Sequence, residues 1–209
     1  LPESNGRVWG SMPKRGDIVI LKPKGKSEDL IKRVIGLPGD LLELRTGQIF
    51  LNGKPVKQEV QPALDLPVDI NNPCNDDDFP GALSRDEKGR AHCYLPIIRE
   101  TLPNGVSYDT VDAKRTEYDD VAPVRIPANH VYLLGDNRDN SADSRVPAPF
   151  GLDGPVSWDR LGGRAEIITF SVDGTTTFNP ATWFSSLRSG RAWTSLRPDK
   201  APTKAGAKK

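Results

Sequence analysis

A mainly β fold, built of antiparallel sheets around an irregular insertion, is predicted by three observations. Apolar residues come in short runs, turn signals interrupt them every few residues, and no helical apolar period of about 3.6 residues appears before residue 180. The polar turn Arg15-Gly16-Asp17 leads into Ile18 to Leu21, whose unbroken apolar character suits a strand buried on both faces. Leu30 to Ile35 reads as a second strand, ended by Gly36-Leu37-Pro38-Gly39-Asp40. Leu41 to Leu44 and Gln48 to Leu51 flank a turn at Thr46-Gly47, and Asn52-Gly53 is the strongest hairpin signal in the chain, so the region up to Val56 reads as a meander. From about Gln61 to His92, prolines, the acidic run Asp76-Asp77-Asp78 and charges without apolar periodicity predict an irregular insertion with no core of its own. Strands return at Cys93 to Arg99, before a turn at Pro103-Asn104-Gly105, at His130 to Leu134, and last at Ala165 to Val172.

A chain of 209 residues suits one domain with an insertion and a tail: a catalytic-size unit over 1–180 and a C-terminal segment over 181–209. The 29 basic and 28 acidic residues are interspersed and leave a net charge of +1, so no broad basic face exists to gather nucleic acid. No aliphatic run approaches the length needed to cross a bilayer. Leu1 to Arg7 lack the pattern of a secretory signal and the chain does not start with methionine, which reads as a cut end. Cys74 and Cys93 fit no CxxC or zinc-ribbon spacing. They form either a disulfide closing a loop of roughly 20 residues, worth about 3 kcal/mol, or two unpaired buried thiols. Trp183, Phe184, Leu187, Trp193 and Leu196 stand among Arg188, Arg191 and Arg197, as in a docking helix interrupted at Gly190 or a membrane-contacting amphipathic segment. Arg197 to Lys209 have no apolar anchor and read as disordered.

Several motifs look chemical and are not. Gly25-Lys26-Ser27 lacks the upstream glycine of a phosphate-binding loop, where Ile20 stands instead. Arg15-Gly16-Asp17 opens an apolar strand, so a tight turn is its simpler use. Asp76 to Asp78 lack the alternating ligands of a calcium loop. His92 and His130 have no metal-ligand spacing to another His or Cys, and no serine sits in a Gly-x-Ser-x-Gly elbow. No metal site and no cofactor are expected.

Three segments remain: Arg15-Gly16-Asp17-Ile18-Val19; Ile31-Lys32-Arg33-Val34-Ile35-Gly36-Leu37-Pro38-Gly39-Asp40; and Gly135-Asp136-Asn137-Arg138-Asp139-Asn140-Ser141-Ala142-Asp143-Ser144-Arg145. Lys32 lies among Leu30, Ile31, Val34 and Ile35, where desolvation disfavours the ammonium form. Lowering a lysine from about 10.4 to roughly 8 takes about 3 kcal/mol, which burial can supply, and a neutral lysine can deprotonate a serine without histidine. The alternative is that Lys32 and Arg33 are solvated strand residues. The third segment follows the apolar Val131 to Leu134 and is rich in short polar side chains that can lock a loop at a strand end.

In this order the three segments resemble the boxes of the bacterial type I signal peptidase family, with the likeness running from Gly6 to about Val172 and leaving the insertion outside it. The resemblance implies a mainly β catalytic domain and a serine endopeptidase with a Ser/Lys dyad, which removes signal peptides from secreted preproteins after small residues in an Ala-x-Ala-like pattern. It implies Lys32 as general base, Ser141 orienting Lys32, and Asp136, Asp143 and Arg145 as support for the loop. The family's nucleophile sits in a Ser-Met-x-Pro box. Ser11-Met12-Pro13 lacks the spacer residue and runs directly into Arg15-Gly16-Asp17, so the nucleophile and a membrane anchor are expected to lie outside this chain, which would then be inactive alone. The implied location is the bacterial inner membrane, with the domain on the periplasmic side; composition, not the resemblance, leaves the segment 183–197 as either a docking helix or a further membrane contact. Two rivals stay open: a related Ser/Lys peptidase that processes pilus subunits, and a non-catalytic β-domain that binds peptides or a membrane partner.

Overall fold

The computed structural model describes residues 12–22, 28–70, 73–169, 171–172, 187, 190, 192–197 and 199–200. Its strands are β1 (Ile18–Leu21), β2 (Leu30–Gly36), β3 (Leu41–Arg45), β4 (Gln48–Leu51), β5 (Lys54–Pro55), β6 (Lys57–Pro67), β7 (Leu83–Arg85) and β8 (Ala91–Thr101). These are followed by β9 (Val106–Val111), β10 (Val121–Arg125), β11 (His130–Leu134), β12 (Val156–Ser157), β13 (Leu161–Arg164), β14 (Ile167–Ile168), β15 (Thr194–Ser195) and β16 (Asp199–Lys200). The helical content of the described residues is two 3-10 turns, Glu117–Asp119 and Trp158–Arg160, and no helix among them is long and apolar enough to cross a membrane. The chain is mainly β, as its sequence predicts.

The strands pair antiparallel in four sheets: β12-β11-β2-β1-β13, β10-β3-β4-β5, the pair β14-β15, and β16-β9-β8-β6 with β7 also on β8. In the first sheet β2 is central, with Val19 of β1 opposite Lys32 and Leu134 of β11 opposite Arg33. Alternation along β2 then divides two cores. Ile35 packs with Leu42, Leu44, Ile49, Tyr108 and Ile126 on one side, while Val34 and Leu30 pack with Val19, Leu21, Leu133 and Val156 on the other. Arg33 therefore falls on the side of Ile35, and Lys32 on the side of Val34. The Arg15-Gly16-Asp17 turn is buried rather than offered to a partner: Gly16 has a φ of 94°, and a Cβ there would meet Val106 Cγ1 at 2.6 Å.

The insertion departs from expectation. Residues 57–67 form the long strand β6, β7 lies within 61–92, and a third core gathers Cys74, Ala82, Cys93 and Leu95 with Leu66, Val68, Phe79 and Val111. Cys74 and Cys93 are joined by a disulfide, with Cα atoms 5.7 Å apart. Apolar periodicity failed to announce β6 because it is an edge strand that is mostly exposed; Pro62 and Pro67 are tolerated there because the outer edge needs no N–H. Only its partner β8 alternates visibly, burying Cys93, Leu95 and Ile97.

The C-terminal half differs too. The run predicted as one last strand over 165–172 contributes only Ile167–Ile168, because β13 first pairs with β1 and the chain then turns to pair β14 with β15. Val172 makes an isolated bridge to Leu187. The described residues between 187 and 197 are not helical: Trp193 is exposed with a φ of 60°, and Thr194–Ser195 is a strand. Trp183, Phe184, Arg188 and Arg191 lie outside the described residues. The tail, expected to be disordered from Arg197, is anchored through Asp199 and Lys200, which pair with Ser107 and Val106 of β9.

Beyond β9, Asp112 sits near Asp139 and Asp119. Burial first, and then the charges of these two neighbours, push its carboxyl up to about 6. A carboxyl raised in the fold binds protons that the unfolded chain does not, so stability falls as pH rises from about 4 to about 6 and the penalty persists above that window. Asp112→Asn is expected to raise stability at pH 7.5 by about 1–2 kcal/mol, discounted because the site is partly solvated, and to have no such effect at pH 4, as read by urea midpoints. Reducing the disulfide is expected to lower the unfolding free energy by about 3 kcal/mol, the entropy of releasing its loop, and to move the urea midpoint down accordingly.

Candidate active site

Lys32 leaves the central strand of the first sheet on the side of Val34 and is partly buried. Desolvation lowers its pKa below the ordinary lysine value; Asp143 opposes the shift, Arg145 reinforces it, and Asp136 opposes it. All three charged groups belong to the loop that follows β11, which crosses the end of β2 because Leu134 pairs with Arg33. The loop thus places its charges beside Lys32 without any contribution from sequence neighbours.

Both carboxylates that act on Lys32 are already held by arginines. Arg33 grips Asp136 in a two-pronged pair, Nε to Oδ1 at 2.7 Å and Nη2 to Oδ2 at 2.6 Å, while its Nη1 donates to the Gly16 carbonyl at 2.9 Å. Arg145 grips Asp143 from Nε at 3.0 Å and Nη2 at 2.9 Å, with both side chains out of solvent. Asp143 also accepts the N–H of Gly135 at 2.9 Å and that of Arg145 at 3.0 Å. Ser144 exchanges bonds with Leu133, N–H to carbonyl at 3.0 Å and Leu133 N–H to Oγ at 3.0 Å. Such a loop is fixed by its own polar groups rather than by an apolar anchor.

Ser141 lies in this loop with its Oγ buried and without a hydrogen-bond partner, so no bond joins it to Lys32 here. Its position depends on Gly135: a Cβ on Gly135 would stand 2.5 Å from Ser141 Cβ, which leaves no room for any other residue. The loop is also clamped from behind. Val111 N–H donates to the Asp136 carbonyl at 2.9 Å, and Arg138 N–H donates to the Val111 carbonyl at 2.8 Å. Ser11 lies outside the described residues, and Met12 beside it is exposed.

The structure thus brings Lys32, Asp136, Asp143 and Arg145 into one electrostatic unit, with Ser141 in the same loop. Three residues of this unit were not singled out from the sequence. Arg33, read there only as a companion of Lys32, is the strand's tie to Asp136. Arg138 and Glu100 form a buried pair, Nη1 to Oε1 at 2.9 Å and Nη2 to Oε2 at 2.6 Å. An arginine on the inward phase of an apolar strand was a usable signal for Arg33. Glu100 gave none, since the alternation set by Cys93, Leu95 and Ile97 puts it in phase with the exposed Tyr94 and Pro96. Among the described residues no group of His, Cys, Asp and Glu could hold a metal ion.

Known proteins share sequence with most of this chain. The family model described as "Signal peptidase, peptidase S26" matches residues 6–170. The signal peptidase I of Rickettsia typhi is 31% identical over 180 residues, covering 82% of this chain and 58% of that protein. That of Rickettsia canadensis is 32% identical over 181 residues, covering 82% and 57%. The chain therefore spans a little over half the length of these relatives. A solved signal peptidase I from Enterococcus faecalis aligns over 74% of this chain and 97% of its own, at 20% identity and a TM-score of 0.36. The family match covers most of the chain and includes all three boxes around Lys32, so the chain belongs to the signal peptidase family, peptidase S26.

Proposed function

We propose that this chain is the catalytic domain of a serine endopeptidase that removes N-terminal signal peptides from secreted preproteins, with Lys32 as general base. The observation that carries the reading is a partly buried lysine whose two influential carboxylates are each claimed by an arginine. Such a lysine has its positive charge made costly by burial, and the carboxylates that favour that charge are shared with arginines. Its neutral amine takes the proton of a serine hydroxyl as that oxygen attacks the peptide carbonyl. The protonated amine then gives the proton to the departing amino group, and the same amine activates water to free the acyl-enzyme.

In this reading Ser141 orients the Lys32 amine once substrate closes the site, and Asp136, Asp143 and Arg145 hold the loop that presents it. The nucleophile belongs to a Ser-Met-x-Pro box outside this chain; the missing spacer residue after Met12 and the short path from Pro13 to the buried turn at Gly16 speak against Ser11. Small residues before the cleaved bond would set substrate choice. The resemblance also supports a place at the bacterial inner membrane, with this domain on the periplasmic side; the apolar and arginine-rich composition of the segment 183–197 suits a second contact with lipid. The disulfide suits an oxidising compartment.

The test is hydrolysis of a peptide bearing an Ala-x-Ala site by the full-length natural protein. Lys32→Ala is expected to lower kcat/KM by about 10²–10⁴-fold, the usual worth of a general base. The wild-type rate is expected to climb with pH along a limb set by Lys32, whose midpoint lies below that of an ordinary lysine, because the base works only after losing its proton. Activity that survives Lys32→Ala contradicts the mechanism. Ser11→Ala should leave activity intact; its loss would move the nucleophile into this chain.

A further inference from the structure

Glu100 lies on β8, outside the three sequence boxes, and its carboxylate is wholly buried. It accepts two bonds from Arg138, one from Tyr108 Oη at 2.7 Å and one from Gln58 Nε2 at 3.1 Å. Burial alone would raise its pKa; the charge and bonds of Arg138, together with the bonds from Tyr108 and Gln58, outweigh that and hold the carboxyl below its usual range. No polar group of a catalytic loop is needed to satisfy a glutamate on a distant strand, yet this one is tied to the site by two separate arms.

The first arm runs through Arg138. Its Nε donates to the Gly135 carbonyl at 3.2 Å, and its own carbonyl accepts Arg145 Nη2 at 2.6 Å. Gly135 is the residue whose bare Cα admits Ser141, and Arg145 is the partner of Asp143. The second arm runs through Tyr108, the residue opposite Glu100 in the β8–β9 ladder. The Tyr108 ring lies under the Arg33 guanidinium, 4.3 Å from its carbon to the ring centre, and Arg33 is the chain neighbour of Lys32 and the partner of Asp136. One carboxylate thus fastens both the strand that carries Lys32 and the loop that carries Ser141.

We infer that Glu100 and Tyr108 are positioning residues for the Lys32 centre, holding strand β2 and the Gly135–Arg145 loop against each other so that water stays away from the lysine amine. The inference rests on the reading of Lys32 as the base. The charged groups that bear on Lys32 are Asp136, Asp143 and Arg145 of the loop, since β1 opposite it presents Val19. Glu100 and Tyr108 reach the amine only by keeping that loop closed. Loosening them hydrates Lys32 and returns its titration toward that of an ordinary lysine.

The test is competitive acetylation of this chain with trace acetic anhydride across pH, reading the titration midpoint of Lys32 by mass spectrometry against the other lysines. It needs neither substrate nor nucleophile. Tyr108→Leu and Glu100→Gln are expected to move the Lys32 midpoint upward, each unit cutting the reactive fraction about tenfold at neutral pH. Tyr108→Phe, which keeps the ring over Arg33 and loses only the bond to Glu100, should move it by less. Reduced folding alone lowers yield and leaves the midpoint of the folded fraction in place. Variants that fold and keep the wild-type midpoint overturn the inference while the base assignment stands. If Tyr108→Leu and Glu100→Gln fail to fold, an unmoved midpoint in Tyr108→Phe overturns it. A wild-type Lys32 that titrates with the other lysines overturns both.

Discussion

The pair between Arg33 and Asp136 is the tie on which the site depends. Arg33 leaves β2 on the side away from Lys32, and Asp136 begins the loop that carries Ser141, Asp143 and Arg145. A β-strand alone fixes only where Lys32 starts; the loop could leave the end of β11 in many directions. The two-pronged bond, together with the donation from Arg33 to the Gly16 carbonyl, holds the loop, the central strand and the entry turn as one body. The guanidinium is nearly out of solvent, so its partners cannot be exchanged for water without leaving a buried charge unsatisfied.

The same arrangement acts on the titration of Lys32. Around the loop three arginines, Arg33, Arg138 and Arg145, are matched by three carboxylates, Asp136, Glu100 and Asp143. Arg145 also faces the buried Asp119, Nη1 to Oδ1 at 3.9 Å. Burial disfavours the ammonium form of Lys32 and Arg145 adds to this, while Asp143 and Asp136 oppose it; the net direction is down from the ordinary lysine value. The third pair reaches back to β8 and β9, which makes the second half of the fold part of the site rather than mere scaffold.

Much of the frame was legible in the sequence where local chemistry is strong. Asn52-Gly53, the apolar run at Ile18 to Leu21 and the strand His130 to Leu134 stand where their residues put them, and the partial burial of Lys32 follows from its apolar neighbours. What stayed hidden depends on partners distant in the chain. β6 is polar and proline-bearing, and becomes a strand because β8 lies beside it. Glu100 reads as surface because β8 buries one face against the disulfide at Cys93 and Leu95, then the opposite face against the main core at Glu100. Thr194–Ser195 and Asp199–Lys200 carry no strand signal and are ordered by edges that β14 and β9 leave open.

In the proposed function Lys32 serves as a base because burial disfavours its ammonium form. The most direct measurement is the nitrogen-15 resonance of the Lys32 Nζ followed through pH in the labelled chain, assigned by its loss in Lys32→Arg. A midpoint clearly below that of the exposed lysines is the predicted result. A midpoint at or above theirs would show that a loop carboxylate has become the lysine's partner, and would contradict the account.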